Sequence, residues 1–144
     1  MPHEFFSLLI EEHKEILELI EDLETGNGKS NIKLLSKELN LHMNGEEKFF
    51  YPELMKLKEM QEFSLESFDL HEVTDRALRK LVGFSSADFE FKVRTKVLKE
   101  LFEHHMNEEE NIIFPETENL MSEDDLYVIQ NDYIEYREQK KDVI

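Results

Sequence analysis

Four stretches of this sequence carry apolar residues three and four apart, and in each a histidine occupies the apolar phase. The first runs Phe6, Leu9, His13, Ile16, Ile20, and the second Leu35, Leu39, His42, Glu46, Phe49. The third runs Phe68, His71, Asp75, Leu78, Val82, and the fourth Leu98, Phe102, His105, Glu109, Ile112. Residues at this spacing share one face of an α-helix. Four such helices with short connections predict an all-α fold, an antiparallel up-and-down four-helix bundle whose inner faces each bury an imidazole.

The ends of these helices can be read from capping and breaking residues. The first opens after Pro2, a residue suited to an opening turn. Thr25 to Asn31, with Gly26 and Gly28, reads as a loop, and Ser30 or Asn31 can cap the second helix. Pro52 predicts a kink or break, with Glu53 to Met60 as a bent extension. The third helix is expected from Ser64 and the next turn from Gly83 to Ala87, where Ser85 and Asp88 resemble a capping box. The fourth carries Val97, Leu98, Leu101 and Phe102 and meets Pro115. An additional C-terminal helix starts at Ser122, with Asp125 as cap partner, and runs through Leu126, Ile129, Tyr133 and Ile134. It is expected over one end or side of the bundle, with Glu135 to Asp142 as a solvated face. The length of 144 residues fits one domain, 1–144, with a four-helix core over 3–115 and the C-terminal helix over 122–142.

Composition narrows the function. The net charge of -17 argues against nucleic acid and against an anionic membrane surface, because both are met by clustered Lys and Arg. With no cysteine, disulfides, thiolate zinc sites, iron–sulfur clusters and cysteine nucleophiles are excluded. No stretch reaches the roughly 18 apolar residues of a membrane span. No basic start followed by an apolar run marks a signal peptide, so a cytoplasmic address is expected.

One histidine in an apolar stripe is usually a core residue bonded to a backbone carbonyl. Four, with two carboxylates beside them, cost several kcal/mol to bury unless each finds a partner. A divalent cation partners them all at once. The chain also repeats itself. His42-Met43-Asn44-Gly45-Glu46-Glu47 leads to Pro52, and His105-Met106-Asn107-Glu108-Glu109-Glu110 leads to Pro115, each proline ten residues after its histidine. In both copies the histidine and the glutamate four residues on lie one turn apart on one face. His105 aligns with His42, which leaves His104 outside the stripe. His3 has no partner in the pattern and sits at an end expected to fray.

With His13, then His42 and Glu46, then His71, then His105 and Glu109 on successive helices, the chain resembles the hemerythrin-like family, the HHE cation-binding domains. The resemblance covers His13 through Pro115. It implies a non-haem di-iron centre with a bridging oxygen, Glu46 and Glu109 bridging two iron ions and the four histidines binding terminally. The oxygen carriers of this fold have a fifth histidine where this chain has Asp75. They also space the second bridging carboxylate one residue later, which would be Glu110. The stripe and the repeat both favour Glu109. Asp75 is either an additional ligand or a carboxylate that orients a ligand imidazole.

A nitrogen and oxygen donor set also suits zinc or manganese, and the resemblance is what favours iron. Two octahedral ions offer roughly twelve positions, of which the implied ligands and bridging oxygen fill about ten. An open position admits a small molecule such as dioxygen, nitric oxide or peroxide. The leading expectation is a binding or sensing protein rather than an enzyme. The alternatives are a di-iron enzyme acting on nitric oxide or peroxide, served by an unidentified redox partner, and an iron-responsive regulatory module. A monomer and a homodimer are both compatible with the sequence. Phe5, Phe6, Phe49, Phe50, Phe102 and Phe114 form either a dry shell around the centre or ordinary core. Tyr51 is expected at a bundle end with its hydroxyl in water.

Overall fold

The computed structural model describes residues 2–26, 31–84 and 88–142. Gly28, the alternative cap Ser30 and the Ser85 half of the expected capping box lie outside them. The described chain is helical almost throughout: α1 (Glu4–Glu24), α2 (Ile32–Gly45), α3 (Tyr51–Leu54), α4 (Gln61–Val82), α5 (Phe89–Glu108), α6 (Phe114–Leu120) and α7 (Glu123–Lys140). The bundle is built from α1, α2 with α3, α4, and α5 with α6. The added C-terminal helix α7 packs against α1, α2 and the turn that follows α2. No described helix is long and apolar enough to cross a membrane.

The helix ends follow local chemistry. His3 caps α1 by accepting the Phe5 amide on Nδ1 at 3.0 Å. Its ring is buried and lies 4.4 Å from that of Tyr127 on α7, so this end is anchored rather than frayed. After α1, Gly26 takes φ +87°, the left-handed conformation that ends many helices. Ser122 caps α7, its hydroxyl accepting the Asp125 amide at 3.1 Å. The third bundle helix begins at Gln61, earlier than expected, because a 3-10 turn over Lys58–Met60 leads straight into it. Ser64 therefore lies inside the first turn and donates to the Met60 carbonyl at 2.9 Å instead of capping.

Neither proline breaks its helix. A π-turn precedes each, over Glu46–Phe50 and Glu109–Ile113, with the Tyr51 amide donating to the Glu46 carbonyl and the Phe114 amide to the Glu109 carbonyl. The wider turn accommodates a ring that cannot donate. It also advances the buried face by one residue. Phe50 and Ile113 are fully buried, whereas Phe49 is half-buried and Ile112 is exposed, which corrects the stripe expected from a continuous 3.6-residue period.

The inner face of α4 is also rotated from the expected one. It is Ser67, His71, Thr74, Leu78 and Leu81 that are buried; Phe68 and Asp75 are half-buried and Val82 is exposed. At each step the sequence allowed a choice of three or four residues, and the small hydroxyl residues faced inward. Thr74 satisfies its hydroxyl on the Leu70 carbonyl at 2.7 Å, an option closed to a carboxylate. Val97 and Ile134 are likewise exposed, beside buried Leu98 and Tyr133.

Two apolar clusters fill the bundle. One gathers Phe5, Phe6, Leu9, Phe50, Tyr51, Ile113, Phe114 and residues of α7. The other gathers Ile16, Ile20, Leu35, Leu39, Leu78, Leu98 and Phe102. His13, His71 and His105 fall between them in sequence, and His42 lies at the border on its helix, so a polar layer divides the core.

Candidate metal centre

Each of the four bundle helices contributes to this layer. His13 comes from α1, His42 from α2, His71 from α4 and His105 from α5. Glu46 and Glu109 are the opening residues of the two π-turns. His13, Glu46 and Glu109 are 0% exposed, and the other three are buried. Their inward atoms form two overlapping groups, His13, His42, Glu46 and Glu109 in one and Glu46, His71 and His105 in the other, within 4.8 Å of one another in each. Glu46 belongs to both. Glu109 also reaches both, its Oε1 lying 3.0 Å from His13 Nε2 and 3.5 Å from His105 Nε2.

The spacing suits a shared cation. His71 Nε2 and His105 Nε2 lie 3.0 Å apart. Two nitrogens bound at about 2.1 Å to one ion and at right angles to each other would be roughly 3.0 Å apart. His42 Nε2 and His71 Nε2 each stand 3.3 Å from Glu46 Oε1. Yet His42 Nε2 and both Glu46 oxygens are buried without a hydrogen-bond partner among the described residues. Buried polar atoms left so are rare and costly. A metal ion supplies what these atoms lack, so the residues fit one.

The protonation balance has the same sense. Burial opposes charge on His42, but Glu46 and Glu12 outweigh it and hold the imidazole well above its usual value. Burial likewise opposes charge on His71, and the carboxylates of Glu46 and Glu47 raise it to about 9. On Glu46 burial is outweighed chiefly by His42, and its carboxyl is held well below the usual range. The layer is thus a field that stabilises positive charge, carried by protons when no metal is bound.

Sequence reasoning missed Glu12 and Glu47 behind this layer and offered Glu110 only as a bridging carboxylate. Glu110 Oε2 lies 2.7 Å from His13 Nδ1, Glu12 Oε1 2.8 Å from His42 Nδ1, and Glu47 Oε1 3.2 Å from His71 Nδ1. Such contacts hold an imidazole in one orientation with its other nitrogen aimed inward. Glu47 and Glu110 are the second glutamates of the two repeats, so the doubled Glu-Glu was the available signal. Glu110 is placed on the outward side of His13, and Glu109 on the inward side. Glu12 is held in turn by Tyr133, which donates to it, and by Arg137 Nε at 3.4 Å, both from α7. His105 Nδ1 is buried and has no such partner among the described residues.

Asp75 is not brought to the centre. It is half-buried and paired with Arg79 Nε at 2.9 Å. His104 is exposed, 3.8 Å from Glu108. Tyr51 departs from its expected place in water: it is 0% exposed and its hydroxyl donates to Glu109 Oε2, 3.1 Å from His105 Nε2. The π-turn brings it in by advancing the buried face. Aromatic rings wall the layer. Phe114 stacks parallel to His13, Phe102 meets His13 edge-on at 5.8 Å, and Tyr51 meets His71 at 5.5 Å. Phe5, Phe6 and Phe50 form a second tier, while Phe49 packs on Tyr136.

No curated protein matches the chain with significance. The family model described as the hemerythrin HHE cation-binding domain matches residues 5–117, a span that takes in all six converging residues and both π-turns. The match covers the whole buried layer of histidine and glutamate, whose residues could hold a cation, and the chain belongs to the hemerythrin HHE cation-binding family.

Proposed function

We propose that the chain holds two iron ions, one among His13, His42, Glu46 and Glu109 and the other among Glu46, His71, His105 and Glu109, and that it binds or senses dioxygen or a related small oxidant. The observation that carries this reading is the set of inward atoms: four imidazoles and two carboxylates, shut in by aromatic rings, with His42 Nε2 and both oxygens of Glu46 left without a hydrogen bond among the described residues. The iron pair, when bound, supplies reversible redox chemistry and open positions for a small ligand. The chain supplies the rest. Glu12, Glu47 and Glu110 orient three of the imidazoles. Phe102 and Phe114 exclude water on the His13 side. Tyr51, kept protonated by burial and by the neighbouring Glu109 and Glu46 charges, offers a hydroxyl proton at Glu109 Oε2.

The unpartnered atoms favour one alternative, a regulatory module whose fold depends on iron, since metal binding contributes folding free energy. Metal analysis with optical spectra of reduced and air-exposed protein tests both. Two irons per chain, with near-ultraviolet absorption lost on reduction and restored by air, support the first reading. Loss of helicity on iron removal supports the second. Zinc alone, or no metal in an intact fold, refutes the oxidant-binding reading.

A further inference from the structure

The six converging residues are buried, so an ion needs a way in. A cleft of about 450 Å³ opens between α2 and α4, and His71 forms part of its wall. Four other surface clefts have none of the six in their walls. The lining is acidic. Glu47, Asp69, Glu72 and Asp75 face it against one cation, Arg79. Arg79 is engaged by Asp75, and Glu72 is engaged by Arg76. Asp69 is an exposed residue of the lining, and no ion pair to it is found among the described residues. Glu47 is one-third exposed and touches His71 Nδ1, so a single side chain spans the distance from cleft to imidazole.

We propose that this cleft is the path by which a divalent metal cation reaches the centre, attracted by Asp69 and passed inward by Glu47 beside His71. The inference rests on the metal-binding reading above. A cleft lined by one sign of charge concentrates counter-ions and speeds their arrival by tenfold or more. On a chain of net charge -17 that effect favours cations and opposes small anions. The side amides of Asn40 and Asn44 leave the wall polar, which suits a hydrated ion.

The test uses cobalt(II) as probe. Uptake by metal-free protein is followed by the cobalt absorption, and release from loaded protein is followed with a small chelator. Asp69→Asn should slow uptake about twofold and Asp69→Lys on the order of tenfold, with the final cobalt content unchanged. Glu123→Lys, at the start of α7, makes the same charge change elsewhere and should leave the rate alone. Asn44→Phe, which fills the cleft, should slow uptake and release together. Wild-type rates in both Asp69→Lys and Asn44→Phe overturn the path, as does equal slowing by Glu123→Lys. If Asn44→Phe misfolds, the Asp69 variants at an exposed position still decide. Should the unsubstituted chain take up no cobalt, the metal centre itself is refuted, which is distinct from cobalt arriving by another route.

Discussion

Tyr51 and Phe114 stand at equivalent places in the two halves of the chain, each the residue that closes a π-turn, and only Tyr51 carries a hydroxyl, which it donates to Glu109 of the opposite half. The centre is thus nearly two-fold in its converging residues and one-sided in its surroundings. Glu12, which holds His42, has Leu70 as its counterpart before His71, and His105 Nδ1, unlike the Nδ1 atoms of His13, His42 and His71, has no carboxylate partner among the described residues. The two proposed metal positions are therefore chemically unequal.

Tyr51→Phe removes the donor and keeps the ring. The Glu109 oxygen loses a charge-assisted bond, so the metal-free protein should lose about 1–3 kcal/mol in denaturant unfolding. An unchanged midpoint would mean that the hydroxyl has no stabilising contact with Glu109.

Glu12→Gln should weaken metal binding at the His13 and His42 position by about 10–100-fold, because His42 loses the carboxylate that fixes its ring. Competition titration against a chelator would resolve one weakened and one unaltered site. Equal weakening of both would contradict the inequality drawn above. Tyr133→Phe should move the same site less, since Arg137 still holds Glu12.

His42→Ala or Glu109→Ala should abolish binding of at least one metal, and His104→Ala should leave the metal content intact. Two metals per chain in both of the first variants would refute the proposed ligands.

Gly45→Ala should destabilise the protein by about 1–3 kcal/mol, although alanine favours a helix. A Cβ at Gly45 would run into the ring of Tyr133, which is packed between α7 and the bundle. Thermal melts of Gly45→Ala, alone and with Tyr133→Leu, check this: the second change should recover part of the loss in the first.

The metal-free protein should lose stability as pH rises from about 6.5 to about 9. His71 is raised to about 9 in the fold, so its proton contributes fully below the unfolded value of about 6.5 and is lost through the folded one, on the order of 3 kcal/mol. His42 and His13 are raised as well and act in the same direction. Metal uptake displaces these protons, so binding should release acid and tighten as pH rises. Denaturant midpoints and a pH-indicator titration measure the two effects. A metal-free midpoint that rises over this range would contradict the assigned proton affinities.

Periodicity determined the helices and the bundle, and with the repeated His-x-x-x-Glu it picked out the six residues that meet in the polar layer, although it offered Asp75 beside them. Hydrophobic spacing is local, and histidine and glutamate in an apolar phase have few inexpensive fates. What it could not carry was phase beyond a π-turn or the choice between steps of three and four. Those steps placed Phe50 and Ile113 inward for Phe49 and Ile112, and Thr74 inward for Asp75. Nor could it pair residues remote in the chain. Glu12 with His42 and Tyr133, Glu47 with His71, and Tyr51 with Glu109 are contacts between helices. Only the packed structure decides them, because a buried polar atom takes whichever partner the neighbouring backbone brings within reach.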